Sequence, residues 1–307
     1  MKNNIYIILV VLLVFSVDSY SQQDPHFSLY QYNRSVINPA YAGSSGDIES
    51  LFGVRSQWVG VADAPDTFSF NVNLPLKNKL GVGLTIVSDQ VFVVSETHMY
   101  ADISYKLQLS EKLDLFLGIK AGGSFLNVDL SRLSSNDALF TENVNNFNPN
   151  VGAGLYLQSN RFYVTVSAPG LLQGDRYEKQ GVVPVSASDA LHFFAGAGYD
   201  YPISDSFDIR PSFLARGVIG APLSVDLSLA TMYKDRFELG VNYRLEESFT
   251  GFFTVEFLER FRLGYAFEQV TTAVSQFSSG THELVLKFIL NTPKETPTIN
   301  TNTFNTL

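Results

Sequence analysis

His98-Met99-Tyr100-Ala101-Asp102-Ile103-Ser104-Tyr105-Lys106-Leu107-Gln108-Leu109 alternates between two kinds of side chain. His98, Tyr100, Asp102, Ser104, Lys106 and Gln108 fall on one side, and Met99, Ala101, Ile103, Tyr105, Leu107 and Leu109 on the other. A period of two is the signature of an extended strand whose successive side chains point to opposite faces. The alternation recurs with Asn150, Gly152, Gly154, Tyr156 and Gln158 against Val151, Ala153, Leu155 and Leu157. Glu238, Gly240, Asn242 and Arg244 stand against Phe237, Leu239, Val241, Tyr243 and Leu245. Arg260, Arg262, Gly264, Ala266 and Glu268 stand against Phe261, Leu263, Tyr265 and Phe267. In a secreted β-sandwich the polar face would be the exterior. Here the polar face mixes charge with glycine, while the apolar face is broad and aromatic. That combination suits a polar lumen and a lipid-facing wall, so the expected fold is an all-β transmembrane antiparallel barrel.

Working outward from that segment, the chain divides into roughly fourteen strands, an even number as bacterial barrels require. They are expected near 47–60, 65–75, 79–90, 95–108, 112–128, 147–158, 161–168, 190–201, 207–216, 223–234, 236–245, 249–258, 260–269 and 279–290. Connections after even-numbered strands are tight: Leu76-Lys77-Asn78, Leu109-Ser110-Glu111, Gln158-Ser159-Asn160, Pro202-Ile203-Ser204-Asp205, Lys234-Asp235 and Leu258-Glu259. The two long ones, 129–146 and 169–189, follow odd-numbered strands. Short turns face the periplasm in such barrels and long loops the exterior, so both termini are expected in the periplasm.

Composition agrees. Charged residues are only 17% and aromatics 13%, with 25 Phe and 15 Tyr but one Trp, unlike a soluble enzyme. Beyond the first 21 residues, no apolar run reaches the roughly 18 residues that a membrane helix needs. Met1-Lys2-Asn3-Asn4 followed by an apolar run from Ile5 to Val17 and small residues at Ser19 and Ser21 reads as a signal peptide over 1–21. The net charge of −9 is unchanged by cleavage, because Lys2 and Asp18 cancel, and it argues against a nucleic-acid partner. There is no Cys, hence no disulfide and no lipid-modified cysteine.

The expected organisation is therefore a signal peptide over 1–21, an N-terminal plug or periplasmic segment over 22–46, the barrel over 47–290 and a Thr/Asn/Pro-rich flexible tail over 291–307. Pro39 forces Asn38 extended and removes a donor, while Ala40 and Gly43 allow close backbone packing. Asn38, Pro39, Ala40, Tyr41 and Gly43 are candidate plug contacts inside the lumen; the alternative is an ordinary turn before the first strand. Arg55, Gln57 and His98 fall on inward faces, and Trp58 on the outward face as an interface anchor. Lys106, Lys120, Arg210, Arg216, Arg262, Glu238, Glu256 and Asp102 are expected to form a salt-bridged lumen network rather than a substrate path. The four histidines, His26, His98, His192 and His282, share no metal-ligand spacing. His192 lies near Asp189, Ser186 and Ser188 only in sequence, so no enzymatic activity, metal or cofactor is expected.

Gln23-Asp24-Pro25-His26-Phe27-Ser28, then Gln31-Tyr32 and Asn38-Pro39-Ala40-Tyr41-Ala42-Gly43, resemble the opening of the PorP/SprF family of type IX secretion proteins. So do Arg55-Ser56-Gln57-Trp58-Val59-Gly60, Ala64-Pro65-Asp66-Thr67-Phe68-Ser69-Phe70 and Lys79-Leu80-Gly81-Val82-Gly83. The resemblance is dense over 22–130. It implies an integral outer-membrane protein that supports export or surface anchoring of large secreted proteins such as gliding adhesins. It also implies outer-membrane lipid, periplasmic type IX secretion lipoproteins or a motor-associated complex, and a large exported surface protein as partners. A hydrophobic small-molecule transporter of the fatty-acid type, with a similar strand number, an N-terminal plug and an Asn-Pro-Ala motif, is the alternative.

Overall fold

In the computed structural model, residues 26–132, 143–172, 191–219 and 221–291 are described. The expected signal peptide, nearly all of the expected tail and most of the two long connections lie outside them. The strands are β1 Ile48–Ser56, β2 Asp66–Pro75, β3 Leu80–Val91, β4 Val94–Ser110, β5 Leu113–Val128, β6 Val144–Ser159 and β7 Phe162–Ala168. They continue as β8 His192–Tyr199, β9 Tyr201–Ser204, β10 Phe207–Val218, β11 Ser224–Tyr233, β12 Phe237–Arg244, β13 Ser248–Phe257, β14 Phe261–Val270 and β15 Thr281–Leu290. Each wall strand pairs antiparallel with its neighbours, and the sheet closes where Ile48 faces Leu290 and Ser56 faces His282. Closure leaves none of the fourteen wall strands with an unpaired side, which is what a sheet in lipid requires.

Fourteen strands make the wall, and the short β9 is extra to them. It continues β8 along the same edge of β10 in the same register: Ser212 faces Gly198, and Ile209 faces Tyr201. The connection expected at Pro202-Ile203-Ser204-Asp205 is therefore strand up to Ser204, with Asp205 and Ser206 as the turn. The expected strand 47–60 also ends early, at Ser56. Its neighbour β2 begins only after Pro65, which has no N–H to give, and the Gln57 amide closes onto the Pro65 carbonyl at 2.9 Å. Trp58 consequently sits in the following loop with φ 48°, not on the wall, and its amide donates to Thr281 Oγ1 at 3.2 Å.

The alternation decides which side each residue sees. Ile119 is 62% exposed and Lys120 beside it 2%; Leu239 is 70% exposed and Glu238 6%. Outward aromatics pair across strands, Phe52 with Phe70 and Phe207 with Tyr233, each at 4.7 Å between centroids. Tyr199, Tyr201, Phe207, Tyr233, Phe237 and Phe257 gather near the short-turn rim, as an interfacial girdle would. Three short turns are built on consecutive positive-φ residues: Asn78 and Lys79, Lys234 and Asp235, Leu258 and Glu259. This is the tight hairpin geometry whose twist matches that of the strands it joins.

Residues 26–46 run inside the barrel. They start at the long-loop end, where His26 meets Arg216 near the top of β10, and finish at the short-turn end, where Gly43 lies against Gly81 at the foot of β3. Between them are one helical turn, α1 (Arg34–Ile37), and a 3-10 turn, Pro39–Tyr41. The strands begin and end at the short-turn rim, as expected for the barrel proper. The first described residue nevertheless lies at the opposite end of the lumen.

Candidate functional site

The alternation that faces apolar residues to lipid also lines the lumen with polar groups that, once buried, must find partners. Many find them on residues 26–46. Near the long-loop end, Arg55 of β1 reaches Glu268 of β14 at 3.0 Å and Glu283 of β15 at 3.2 Å. Glu283 also accepts the backbone amides of Ser28 at 2.7 Å and Leu29 at 3.1 Å. The Ser28 hydroxyl donates to Glu268 at 2.6 Å and accepts from Arg55 at 2.8 Å. Arg244 of β12 extends the cluster, to Asp226 at 3.0 Å and Glu268 at 3.6 Å. Two wall carboxylates and an arginine thus grip the backbone and side chain of Ser28 through charge-assisted bonds. Just above, the Arg216 guanidinium lies 2.7 Å from His26 Nδ1.

Lower down the segment stays bonded. Tyr30 and Gln31 meet Ser212 of β10 at 3.2 and 3.0 Å, and Tyr32 donates to Glu238 of β12. Asn33 accepts from Asn71 at 2.7 Å, and Ser35 from Asn73 at 2.7 Å, both on β2. Lys120 of β5 donates to the carbonyls of Ser35 and Val36 at 3.1 Å each, with Asp102 of β4 at 3.7 Å on its other side. The lysine therefore satisfies carbonyls that a one-turn helix leaves free.

The Asn-Pro-Ala motif comes next. Asn38 is extended, φ −141° and ψ 114°, as a residue before proline must be. Its side-chain oxygen accepts the Ala40 amide at 2.8 Å and so caps the 3-10 turn that Pro39 opens. Its side-chain nitrogen donates to the Leu155 carbonyl at 2.9 Å and to Thr165 at 2.7 Å. One amide thus shapes the turn and fastens it to β6 and β7. Ala40 lies so close to β5 that a Cβ on Gly118 would meet its backbone nitrogen. Gly43 has φ +67°, and a Cβ there would come within 2.8 Å of Gly81 Cα. Tyr41 donates to Glu49 at 3.1 Å, and Lys287 pairs with Glu49 at 2.8 Å.

Residues 19–288 match the family model described as type IX secretion system membrane protein PorP/SprF. The chain belongs to that family. Comparison with curated proteins gives no match. Among solved structures, this PorP/SprF barrel is similar to the toluene transporter TbuX of Ralstonia pickettii, with 12% identity, a TM-score of 0.49, and coverage of 82% of this chain and 91% of that one. It is also similar to the outer membrane protein Omp33 of Acinetobacter baumannii, with 10% identity, a TM-score of 0.46, and coverage of 80% and 99%.

In this PorP/SprF barrel the candidate residues Asn38, Pro39, Ala40, Tyr41, Gly43 and Arg55 all lie inside the lumen, the first five at the short-turn half and Arg55 at the other. Gln57 departs from them: it leaves the wall just past Ser56 and belongs to the loop above. The expected ion-pair network is present in pieces. Lys106 pairs with Asp114 at 2.7 Å, Arg262 with Glu256 at 2.7 Å, and Arg210 with Asp200 at 3.3 Å. His98 lies 3.7 Å from Glu96 and far from residues 38–43. Arg34 and Glu283 were not singled out in the sequence, and Ser28 only as part of the family-like opening, although Glu283 falls on an inward position that the strand period specifies. Among the described residues no cluster of His, Cys, Asp or Glu has metal-binding geometry.

Proposed function

We propose that the protein is a non-enzymatic outer-membrane scaffold of type IX secretion that supports export or surface anchoring of large secreted proteins such as gliding adhesins. One observation carries this reading: residues 26–46 run the length of the lumen and are bonded to it by buried charges at one end and by the Asn38 amide at the other. A conduit needs an open path, whereas a barrel filled by its own chain offers its two rims. In this reading the short turns meet periplasmic secretion lipoproteins or a motor-associated complex. The long connections at 129–143 and 169–191 meet the exported protein, since loops on a rigid wall carry specificity. The alternative of a hydrophobic small-molecule transporter fits poorly with a lumen lined by Arg55, Asp102, Lys120, Arg244, Glu268 and Glu283.

The test exchanges both long connections for those of a paralogue and follows which large secreted protein reaches the cell surface. A chimera that stays heat-modifiable and membrane-inserted should display the paralogue's partner. A folded chimera that still displays the original partner at wild-type level would count against rim-based selection. Uptake of a fluorescent fatty acid by proteoliposomes containing the wild-type barrel would favour the transporter instead.

A further inference from the structure

At the short-turn end, a cavity of about 280 Å³ opens between the inner segment and the wall from β6 to β12. Arg34, Tyr41, Tyr156 and Tyr163 line it. The Arg34 guanidinium lies 3.9 Å from the ring centroid of Tyr163 and 5.8 Å from that of Tyr41. Its Nη1 donates to the Tyr156 hydroxyl at 2.8 Å. No carboxylate stands within ion-pair distance of Arg34 among the described residues. The two acids that share the cavity, Asp200 and Glu238, are held by Arg210 at 3.3 and 3.7 Å, and Glu238 also accepts from Tyr32. Among the described residues, the Nε of Arg34 and the Tyr163 hydroxyl are buried without a hydrogen-bond partner.

This is unusual within the same lumen, where Arg55 and Arg244 each touch two or more acids. A largely buried guanidinium with no carboxylate in ion-pair contact is costly, and aromatic faces and the more distant Asp200 offset only part of that cost. With Arg161 at the mouth, three arginines and two acids line the cavity, a surplus of one positive charge. A surplus of one suits a monoanion better than a phosphate dianion, and a planar guanidinium matches a planar carboxylate. The volume falls just below the roughly 300–1,000 Å³ of small-molecule pockets, enough for a small acid or a single residue at a chain end.

We infer that this cavity binds a carboxylate entering from the short-turn side, with Arg34 receiving the anion and the tyrosine rings packing its carbon skeleton. The site stands independently of the secretion role, because its test is direct binding to the purified barrel. Full-length protein in detergent is titrated by calorimetry with sodium benzoate, benzamide and inorganic phosphate. Benzoate should bind at least about tenfold more tightly than either of the others, the margin of one charge-assisted hydrogen bond. Arg34→Gln should lose that margin. Ser45→Trp, which obstructs the mouth while keeping Arg34, should lose it too, and decides the matter if Arg34→Gln fails a heat-modifiability gel. His98→Gln, at the other end of the barrel, should bind as wild type.

Acetyl-Gly-Gly-Phe with a free carboxylate, set against its amide, distinguishes the sources. Binding of the acid alone assigns a peptide chain end, and binding of benzoate without the peptide assigns a small free acid. Equal binding of benzoate and benzamide, tighter binding of phosphate, or benzoate binding unchanged in a folded Arg34→Gln or Ser45→Trp variant would overturn the inference.

Discussion

Removing the Arg55 guanidinium would leave the buried Glu283 without a cation, Glu268 with Arg244 alone, and Ser28 without its donor. Arg55→Met is expected to destabilise the barrel by about 3–5 kcal/mol, the usual cost of breaking a buried ion pair from one side. Urea unfolding in detergent would read it, and a loss under about 1 kcal/mol would make the cluster an ordinary surface-like pair. The strand period alone placed Arg55 inside. Its partners were not legible: Glu268 and Glu283, 213 and 228 positions away, meet it only through barrel closure, and Ser28, 27 away, only because the N-terminal segment enters the lumen.

At the scale of elements, period two was sufficient to place all fourteen wall strands, because each has one face in lipid and one in a polar interior. What it missed are places where the backbone departs from the pattern without a change in side-chain type. The strand near 47–60 lost its end to the missing Pro65 donor. β9 runs on past Asp200 through its pairing with β10, although all four of its residues are exposed and carry no alternation. The facing itself is testable. Leu155 of β6 is an outward residue near the middle of its wall, and Leu155→Arg is expected to cost roughly 2–4 kcal/mol, against little for Gln158→Arg on the lumen side. Equal losses in the two folded variants would contradict the facing of β6. Gly118→Val addresses the fit between wall and inner segment. The added side chain would collide with the Ala40 backbone, so residues 26–46 should become open to protease in a barrel that still folds. Unchanged resistance would mean that the segment is held elsewhere. The close approach itself was legible only as glycine on an inward face, which is equally the mark of a crowded lumen of any kind.

For the molecule as a whole, loop length predicts the orientation. The natural chain has no cysteine, so single cysteines report cleanly. An impermeant maleimide on intact cells should label Cys at Asn136 or Gln173, in the long connections, and not at Asn78 or Asn160, in the short turns. Labelling at Asn78 would invert the barrel. That an N-terminal segment existed was readable from the chain ahead of the first strand. That it starts at the long-loop end and descends the whole lumen was not, since nothing in residues 26–46 has a period, and its course is set by partners on every side of the wall. The central claim is that this segment closes the barrel, and conductance across a planar bilayer tests it most directly. The wild-type protein should insert without a stable ion-conducting state, whereas a variant lacking residues 27–45 should open a steady channel. Steady conductance of the wild-type barrel, equal to that of the deletion variant, would contradict the claim.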